Sequence, residues 1–392
     1  MGSQWNKPEA RKANPVAILI LSVCYASPGA GEQIKVVAID HLLASSKTYV
    51  GSPSIAILSD NEYIASHDIF GPASDMNRTQ IFASTDRGQT WQLRSEIVGQ
   101  FWSSLFTHRG SLYIMGPGRE FGPVVIRRSN DGGFTWTSPT DSRNGLLLNG
   151  RYHTAPTPVV QMGGRLWRAM EDIGGPGDWP TRFRCFVLSI PEDADLLRAD
   201  LWTQTTMLSG NAGWLNGAFH GWLEGNAVAA KDGRIFDLLR VDAKPVGDKA
   251  ALVSIDSNGK TLSFEPGRDF VQMPGGSVKF TVRRDPVDGD YWALTNVLDT
   301  PAPNPGIVRN TLALVHSSDL IHWDVRATIW HHPDVKQHGW QYVDWQFDGN
   351  DMVAVARVAD DDSAGGAHDF HDANYLTFFR IAGFRNLHAN AQ

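Results

Sequence analysis

The chain has 392 residues, 42% of them hydrophobic and 20% charged, with a formal net charge of −7. That apolar fraction excludes an intrinsically disordered chain, and the negative charge argues against a polyanion binder, so no nucleic-acid partner is expected. No apolar run reaches the ~18 residues of a spanning helix, so no membrane span is expected.

At the N-terminus, Lys7, Arg11 and Lys12 precede a short apolar run, VAILILSV at 16–23, and small residues follow at Ala26, Ser27, Gly29 and Ala30. This is the order of a secretory signal peptide. Residues 1–30 are therefore expected to direct export, with 31–392 forming one domain. A lipid anchor on Cys24 is the weaker alternative, because Val23 is bulky where such a signal wants a small residue. Without Cys24 only Cys185 remains, so packing rather than a disulfide must hold the fold. Cys185 lies in the apolar run CFVLSI and reads as a buried small hydrophobe.

Further along, 38 glycines, 21 prolines and 14 tryptophans suit many short strands joined by tight turns. Strand candidates recur as YIASHD, LYIMG, LWRAMED, IFDLLRVD, YWALTN and MVAVARV, each preceded by another apolar run and most by a Gly or Asn turn. Between them, 84–91 (STDRGQTW) and 129–136 (SNDGGFTW) match with their aspartates, Asp86 and Asp131, 45 residues apart. Weaker echoes start at Ser254 (SIDSNGKTL) and Ser317 (SSDLIHW). This is the Asp-box. Its aspartate caps backbone N–H groups in a turn, its glycine takes positive φ and its tryptophan packs beneath, so the role is structural. Six units between Val50 and about Arg380 predict an all-β fold, a single β-propeller, with Ile34–Ile39 closing the ring. The only helical hint is a doubtful turn near 192–198.

In such a ring, loops at one end form a pocket from distant segments. Residues ending the second strand of each unit are expected there: His67 and Asp68, Arg119, Glu171 and Asp172, Arg240 and Asp242, Asn296 and Arg357. Tyr152, His153, Glu224, Asn226, Lys279 and Asp344 add to them from the first strands. His67 is the leading acid–base candidate, because imidazole titrates near neutrality; the alternative is a core histidine bonded to backbone. Arg168, inside LWRAM, needs a carboxylate, from a ligand or from Glu171. Lys279, in SVKFTV, likewise needs an anion. His153, with Tyr152, offers an imidazole beside a phenol. Trp179, Trp214 and Trp222 could stack on sugars, although most tryptophans should pack blades. His368 and His371, with Asp369 and Asp372, have the look of metal ligands, but a pocket-lining or solvated loop fits better. No metal site and no cofactor is expected; a structural calcium near these aspartates is the alternative.

The two Asp-boxes resemble those of the sialidase-type propeller superfamily. Sialidases carry an Arg-Ile-Pro motif, absent here, together with an arginine triad and a Tyr/Glu nucleophile that the sequence alone does not place. The runs YVGSPSIAIL…YIASHDIFGP, RYHTAPTPVV…GRLWRAMED, GWLEGNAV, GGSVKFTVRRD, QYVDWQFDG and GGAHDFHDANYLTFFR are similar to secreted propellers that act on L-rhamnose α-1,4-linked to D-glucuronate. These are rhamnose–glucuronate lyases and related α-L-rhamnosidases, which trim arabinogalactan caps. The resemblance implies seven blades, against six counted, and a catalytic histidine matched by His67. It implies an exo-acting polysaccharide lyase, with an α-L-rhamnosidase, a sialidase or a non-catalytic glycan binder as alternatives.

For elimination, His67, Tyr152, His153 and Arg168 are the catalytic candidates. Arg119, Glu171, Glu224, Asn226, Lys279, Arg357, His368 and His371 are the substrate-binding ones. The only partner expected is a carbohydrate substrate, met by a secreted monomer.

Overall fold

The computed structural model describes residues 34–387; the expected signal peptide and Cys24 lie outside them. The described chain forms six antiparallel sheets in sequence order. Blade 1 runs through Ser54–Ile57, Tyr63–Phe70, Arg78–Ser84 and Gln92–Val98. Blade 2 comprises Ser104–His108, Ser111–Pro117, Val124–Ser129 and Leu146–Leu148. In blade 3 two short inner pieces, Tyr152–His153 and Val160–Met162, pair with Arg165–Asp172, which pairs with Arg184–Pro191. Blade 4 is built on Phe219–Ala229, Ile235–Ala243 and Lys249–Ile255. Blade 5 contains Thr281–Arg284, Tyr291–Asn296, Thr311–Ser317 and Asp324–His331. Blade 6 takes Gly339–Asp348, Asp351–Ala359 and Tyr375–Ile381, and its outer strand is the N-terminal Val36–His41.

The N-terminal strand therefore closes the ring on the last blade, which leaves no long free edge. The repeat count of six holds. The seven blades implied by the family resemblance do not, because each of the six repeat units forms one sheet and the N-terminal strand completes the sixth instead of starting another. The one α-helix among the described residues is a single turn, Pro266–Asp269.

Middle strands are buried on both faces, as all nine residues of Ile235–Ala243 show, because each blade is sandwiched between two others. The layers between blades hold the large apolar side chains. Trp292, Trp330, Trp340 and Trp345 fill the space between blades 5 and 6, and Trp167 and Trp222 that between blades 3 and 4. The Asp-box turns form as the sequence predicts. Asp131 accepts the Thr135 N–H (2.9 Å), Gly133 N–H reaches Ser129 Oγ (2.8 Å), and Trp136 Nε1 donates to the Gly133 carbonyl (3.2 Å). The echo at Ser317 closes in the same way, with Leu320 at φ 69° where the other boxes have glycine.

A belt of polar side chains joins the inner strands, one residue per blade. Asp344 accepts Ser54 Oγ (2.8 Å) and Ile55 N–H (3.0 Å), and Ser54 Oγ accepts Leu105 N–H (2.9 Å). Ser104 Oγ donates to the Thr157 carbonyl (2.8 Å), and Thr157 Oγ1 to the Gly225 carbonyl (2.8 Å). Asn226 Oδ1 accepts Val282 N–H (3.0 Å), and Thr281 Oγ1 donates to the Val343 carbonyl (2.7 Å). Every belt residue is buried, so each bond is made where a lost partner cannot be replaced by water. Replacing Asn226 by Leu strands the Val282 N–H and the Phe280 carbonyl. We expect a loss of about 2–6 kcal/mol in urea unfolding, at about 1–3 kcal/mol per orphaned group. Unchanged stability would show that the belt carries little.

Candidate active site

Strand direction alternates within each blade, so inner strands start and second strands end at the same end of the ring. Three inner strands depart from regular pairing two residues before their belt residue. Trp102, Glu224 and Tyr342 have φ of 45°, 58° and 55°, and bulges fall between Leu223 and Asn226 and between Gln341 and Asp344. A left-handed backbone at a non-glycine residue costs on the order of 1–3 kcal/mol and persists only where its surroundings impose it. Here it swings the side chains off the blades toward the axis. As a result Tyr342 of blade 6 reaches across blade 5, and its phenol donates to Glu224 Oε1 of blade 4 at 2.8 Å.

Three arginines surround this pair. Arg240 Nη1 donates to Glu224 Oε2 at 2.8 Å. The guanidinium of Arg309 lies 5.2 Å and that of Arg357 4.6 Å from the centre of the Tyr342 ring. Burial alone would raise the Glu224 pKa, but the charges of Arg240 and His153 and the bonds from Arg240 and Tyr342 bring it below the usual carboxylate value. Glu224 is thus an ionised acceptor for the Tyr342 proton.

Arg309 and Arg357 differ from Arg240 in having no carboxylate. Arg309 donates to Gln341 Oε1 and to the Gly306 carbonyl (3.3 Å), and Arg357 to the His371 carbonyl (2.8 Å). The Nε of each is buried without a hydrogen-bond partner. Burial lowers both pKa values, that of Arg357 to about 10, so both stay charged at neutral pH. Two buried guanidinium groups without a carboxylate partner, beside a half-buried phenol, give this centre an excess of positive charge suited to an anion.

His153 continues the site on the blade 3 side. Its ring stacks on Phe183 (4.5 Å) and meets the edge of Trp102 (4.7 Å), and its Nδ1 lies 3.1 Å from Glu171 Oε2. The other oxygen of Glu171 accepts Gly225 N–H (2.9 Å). His371 flanks Arg357, and its pKa is lowered to about 4 by burial and then by the Arg357 charge, which leaves a neutral imidazole. Beyond Trp102, a recess of about 440 Å³ is lined by Asp75, Met76, Arg119, Glu120, Phe121 and Arg151. A recess of about 640 Å³ opens toward the opposite end, and its Arg283 is paired with Asp344 (3.1 Å).

The remaining sequence candidates lie around this centre or beneath it. His67 is fully buried and stacked on Phe82; Nδ1 donates to the Asp68 carbonyl (2.8 Å) and Nε2 faces Asp40 Oδ2 (2.9 Å). Burial alone would lower its pKa, but the hydrogen bond and charge of Asp40 raise it. Arg168 does not pair with Glu171, the internal carboxylate the sequence offered. It donates to Thr154 Oγ1 (3.0 Å), the Ala155 carbonyl (2.8 Å) and Thr157 Oγ1, while Glu171 turns to His153. Lys279 Nζ donates to Thr281 Oγ1 (2.6 Å) and the Val343 carbonyl (2.7 Å), directly behind Tyr342, and bonds no carboxylate of the described residues. Asn226 belongs to the belt. Tyr152 packs its ring edge-on to Phe186 (5.7 Å). His368 is exposed and lies over Tyr49 (5.7 Å). Trp222 is core and Trp214 packs against it at 5.2 Å, so of the three proposed sugar platforms only Trp179 is exposed.

Tyr342, Arg309 and Trp102 were not singled out in the sequence. A signal for Tyr342 was there: Trp340-Gln341-Tyr342-Val343-Asp344 repeats the spacing of Trp222-Leu223-Glu224-Gly225-Asn226, core Trp to belt residue with the bulged side chain between.

No protein-family model matches the chain, and no curated protein matches it in sequence. In structure the chain is similar to a protein of unknown function from Dyadobacter fermentans DSM 18053 (12% identity, 90% of this chain and 99% of that one, TM-score 0.58). It is also similar to an α-L-arabinanase of Penicillium chrysogenum complexed with arabinobiose (12%, 90% and 98%, 0.55). A third similar structure is Trypanosoma rangeli sialidase in complex with sialic acid (14%, 0.55); there 90% of this chain matches 56% of the other. At these identities the likeness establishes the propeller fold.

Burial lowers the Lys279 pKa to about 7, far below the ordinary lysine value. Between that pH and about 10.5 the unfolded chain binds the proton and the folded chain does not, so stability rises with pH across this window. In Lys279→Met that rise should vanish and neutral-pH stability should increase. A rise retained in the variant would place its origin elsewhere.

Proposed function

We propose that this protein is a secreted, exo-acting enzyme that cleaves a glycosidic linkage at a sugar bearing a carboxylate. The observation that carries this reading is the pair of buried guanidinium groups without a carboxylate partner, Arg309 and Arg357, flanking a phenol whose proton is shared with Glu224. Two of the similar structures are a sialidase and an arabinanase, both named as acting on glycans.

The substrate that fits the family resemblance is L-rhamnose α-1,4-linked to D-glucuronate, cleaved by β-elimination. Arg309 and Arg357 hold the uronate carboxylate and stabilise the charge that builds on it as C5 loses its proton. Tyr342, relayed by Glu224, takes that proton. The C4–O4 bond then breaks, C4 and C5 become doubly bonded, and O4 leaves with rhamnose after receiving a proton from His153. Trp102 and Phe121 offer aromatic surface for the sugar ring.

Hydrolysis through Tyr342 as nucleophile is the second reading. One of the similar sialidase structures, from Trypanosoma rangeli, is a covalent intermediate with 2,3-difluorosialic acid, and a Tyr/Glu pair with an arginine trio is the sialidase pattern. The Arg-Ile-Pro motif of sialidases is absent from the chain, however.

Incubation with rhamnose-capped arabinogalactan separates these outcomes. Elimination yields free rhamnose together with an unsaturated uronate that absorbs in the ultraviolet. Hydrolysis yields rhamnose without that chromophore, and release of sialic acid from a sialoside would reassign the substrate. Tyr342→Phe should lower kcat by about 10²–10⁴-fold, and Arg357→Met should lower kcat/KM by about 10²–10³-fold. Full activity in both variants would remove this site from the chemistry.

A further inference from the structure

A second constellation lies at the rim of the same end, outside the proposed reaction centre. His338 sits in the turn that leads from the outer strand of blade 5 into the inner strand of blade 6, and Asp360 and Asp361 follow the second strand of blade 6. The imidazole is nine-tenths buried, and neither ring nitrogen has a hydrogen-bond partner. Its Nε2 points between two carboxylates, 3.4 Å from Asp360 Oδ1 and 3.6 Å from Asp361 Oδ1, and Nδ1 lies 3.7 Å from Asp334 Oδ2.

Hydrogen bonding does not explain this arrangement. The separations are too long for good N–H···O bonds, which have a mode of about 2.9 Å. A second imidazole, His332, stacks on His338 at 3.6 Å, so the ring is held with Nε2 aimed between the two carboxylates. One ligand atom from each of His338, Asp360 and Asp361 can be taken within 4.8 Å of one another. Ligands bound at about 2.0–2.2 Å to one tetrahedral ion sit about 3.3–3.6 Å apart, close to the distances found here.

We propose that His338, Asp360 and Asp361 bind a divalent transition-metal ion, with Zn²⁺ or Mn²⁺ the fitting class. One nitrogen and two carboxylate oxygens suit such ions, whereas the hard ions Ca²⁺ and Mg²⁺ take oxygen ligands. The ion staples two rim loops. Loop 332–338 and loop 360–374 are otherwise joined by the bond from Phe370 N–H to the Lys336 carbonyl (2.8 Å). The second loop carries the His371 carbonyl that receives Arg357, so the ion fixes the wall of the anion site without entering it.

The test needs no substrate and is independent of the catalytic reading. The full chain is stripped with chelator, titrated separately with Zn²⁺, Mn²⁺ and Ca²⁺, and followed by metal analysis and thermal unfolding. The expected result is one Zn²⁺ or Mn²⁺ per chain with a raised Tm, and little response to Ca²⁺. Asp361 is 89% exposed at its side chain, so Asp361→Asn should fold normally and weaken binding by about tenfold or more. His338→Ala should abolish it, and His368→Ala, further along the same loop, should leave it intact. Absence of stoichiometric binding, or equal binding in Asp361→Asn and the unsubstituted chain, would overturn the proposal.

Discussion

The inner strands of six blades are held to one another by a ring of buried polar side chains, Ser54, Ser104, Thr157, Asn226, Thr281 and Asp344. Apolar packing between blades stabilises the ring but is tolerant of sliding. A hydrogen bond from a side chain to one particular backbone group of the next strand is not, because a slip of one residue would orphan it in a dry interior. The belt therefore sets the height of every inner strand relative to its neighbours. Arg283 adds to this fixing through Asp344 and the Trp345 carbonyl.

That fixed height makes the strained residues useful. Glu224 and Tyr342 each stand two positions before a belt residue and each take a left-handed backbone. Anchored on one side by the belt and on the other by a buried tryptophan, the chain has a bulge as its way to fit the extra residue, and the bulged side chain faces the axis. Two strands from blades 4 and 6 thereby deliver an ionised carboxylate and a phenol to within 2.8 Å. The arginines arrive from the ends of second strands and from the loop before Thr311. One is neutralised by Glu224 and two are not, so the assembled site carries an excess positive charge inside a protein whose formal net charge is −7.

The fold was readable because its signals are local and repeated. Asp86 and Asp131 mark their turns by spacing alone, and the strand candidates alternate with glycine turns at regular intervals. The site was less readable because its geometry depends on pairing register. His67 read as an acid–base group and Lys279 as a cation awaiting an anion, yet both are enclosed, one against Asp40 and one on a hydroxyl and backbone carbonyls. Arg168 seemed to require a carboxylate, and hydroxyls and a carbonyl serve instead. Glu224 and Arg357 were found by their phase in the repeat. Arg309 has no such phase, since it lies in a loop, and Tyr342 was hidden by a strand that reads as apolar unless it is compared with blade 4.

We propose that Arg309 and Arg357 hold a carboxylate-bearing sugar against Tyr342, and a crystal structure of the protein soaked with D-glucuronic acid is the sharpest test. The carboxylate should lie within hydrogen-bond distance of both guanidinium groups, with the ring beside the Tyr342 hydroxyl. A uronate seated instead in the recess of Arg119 and Arg151, with the two central arginines untouched, would contradict it.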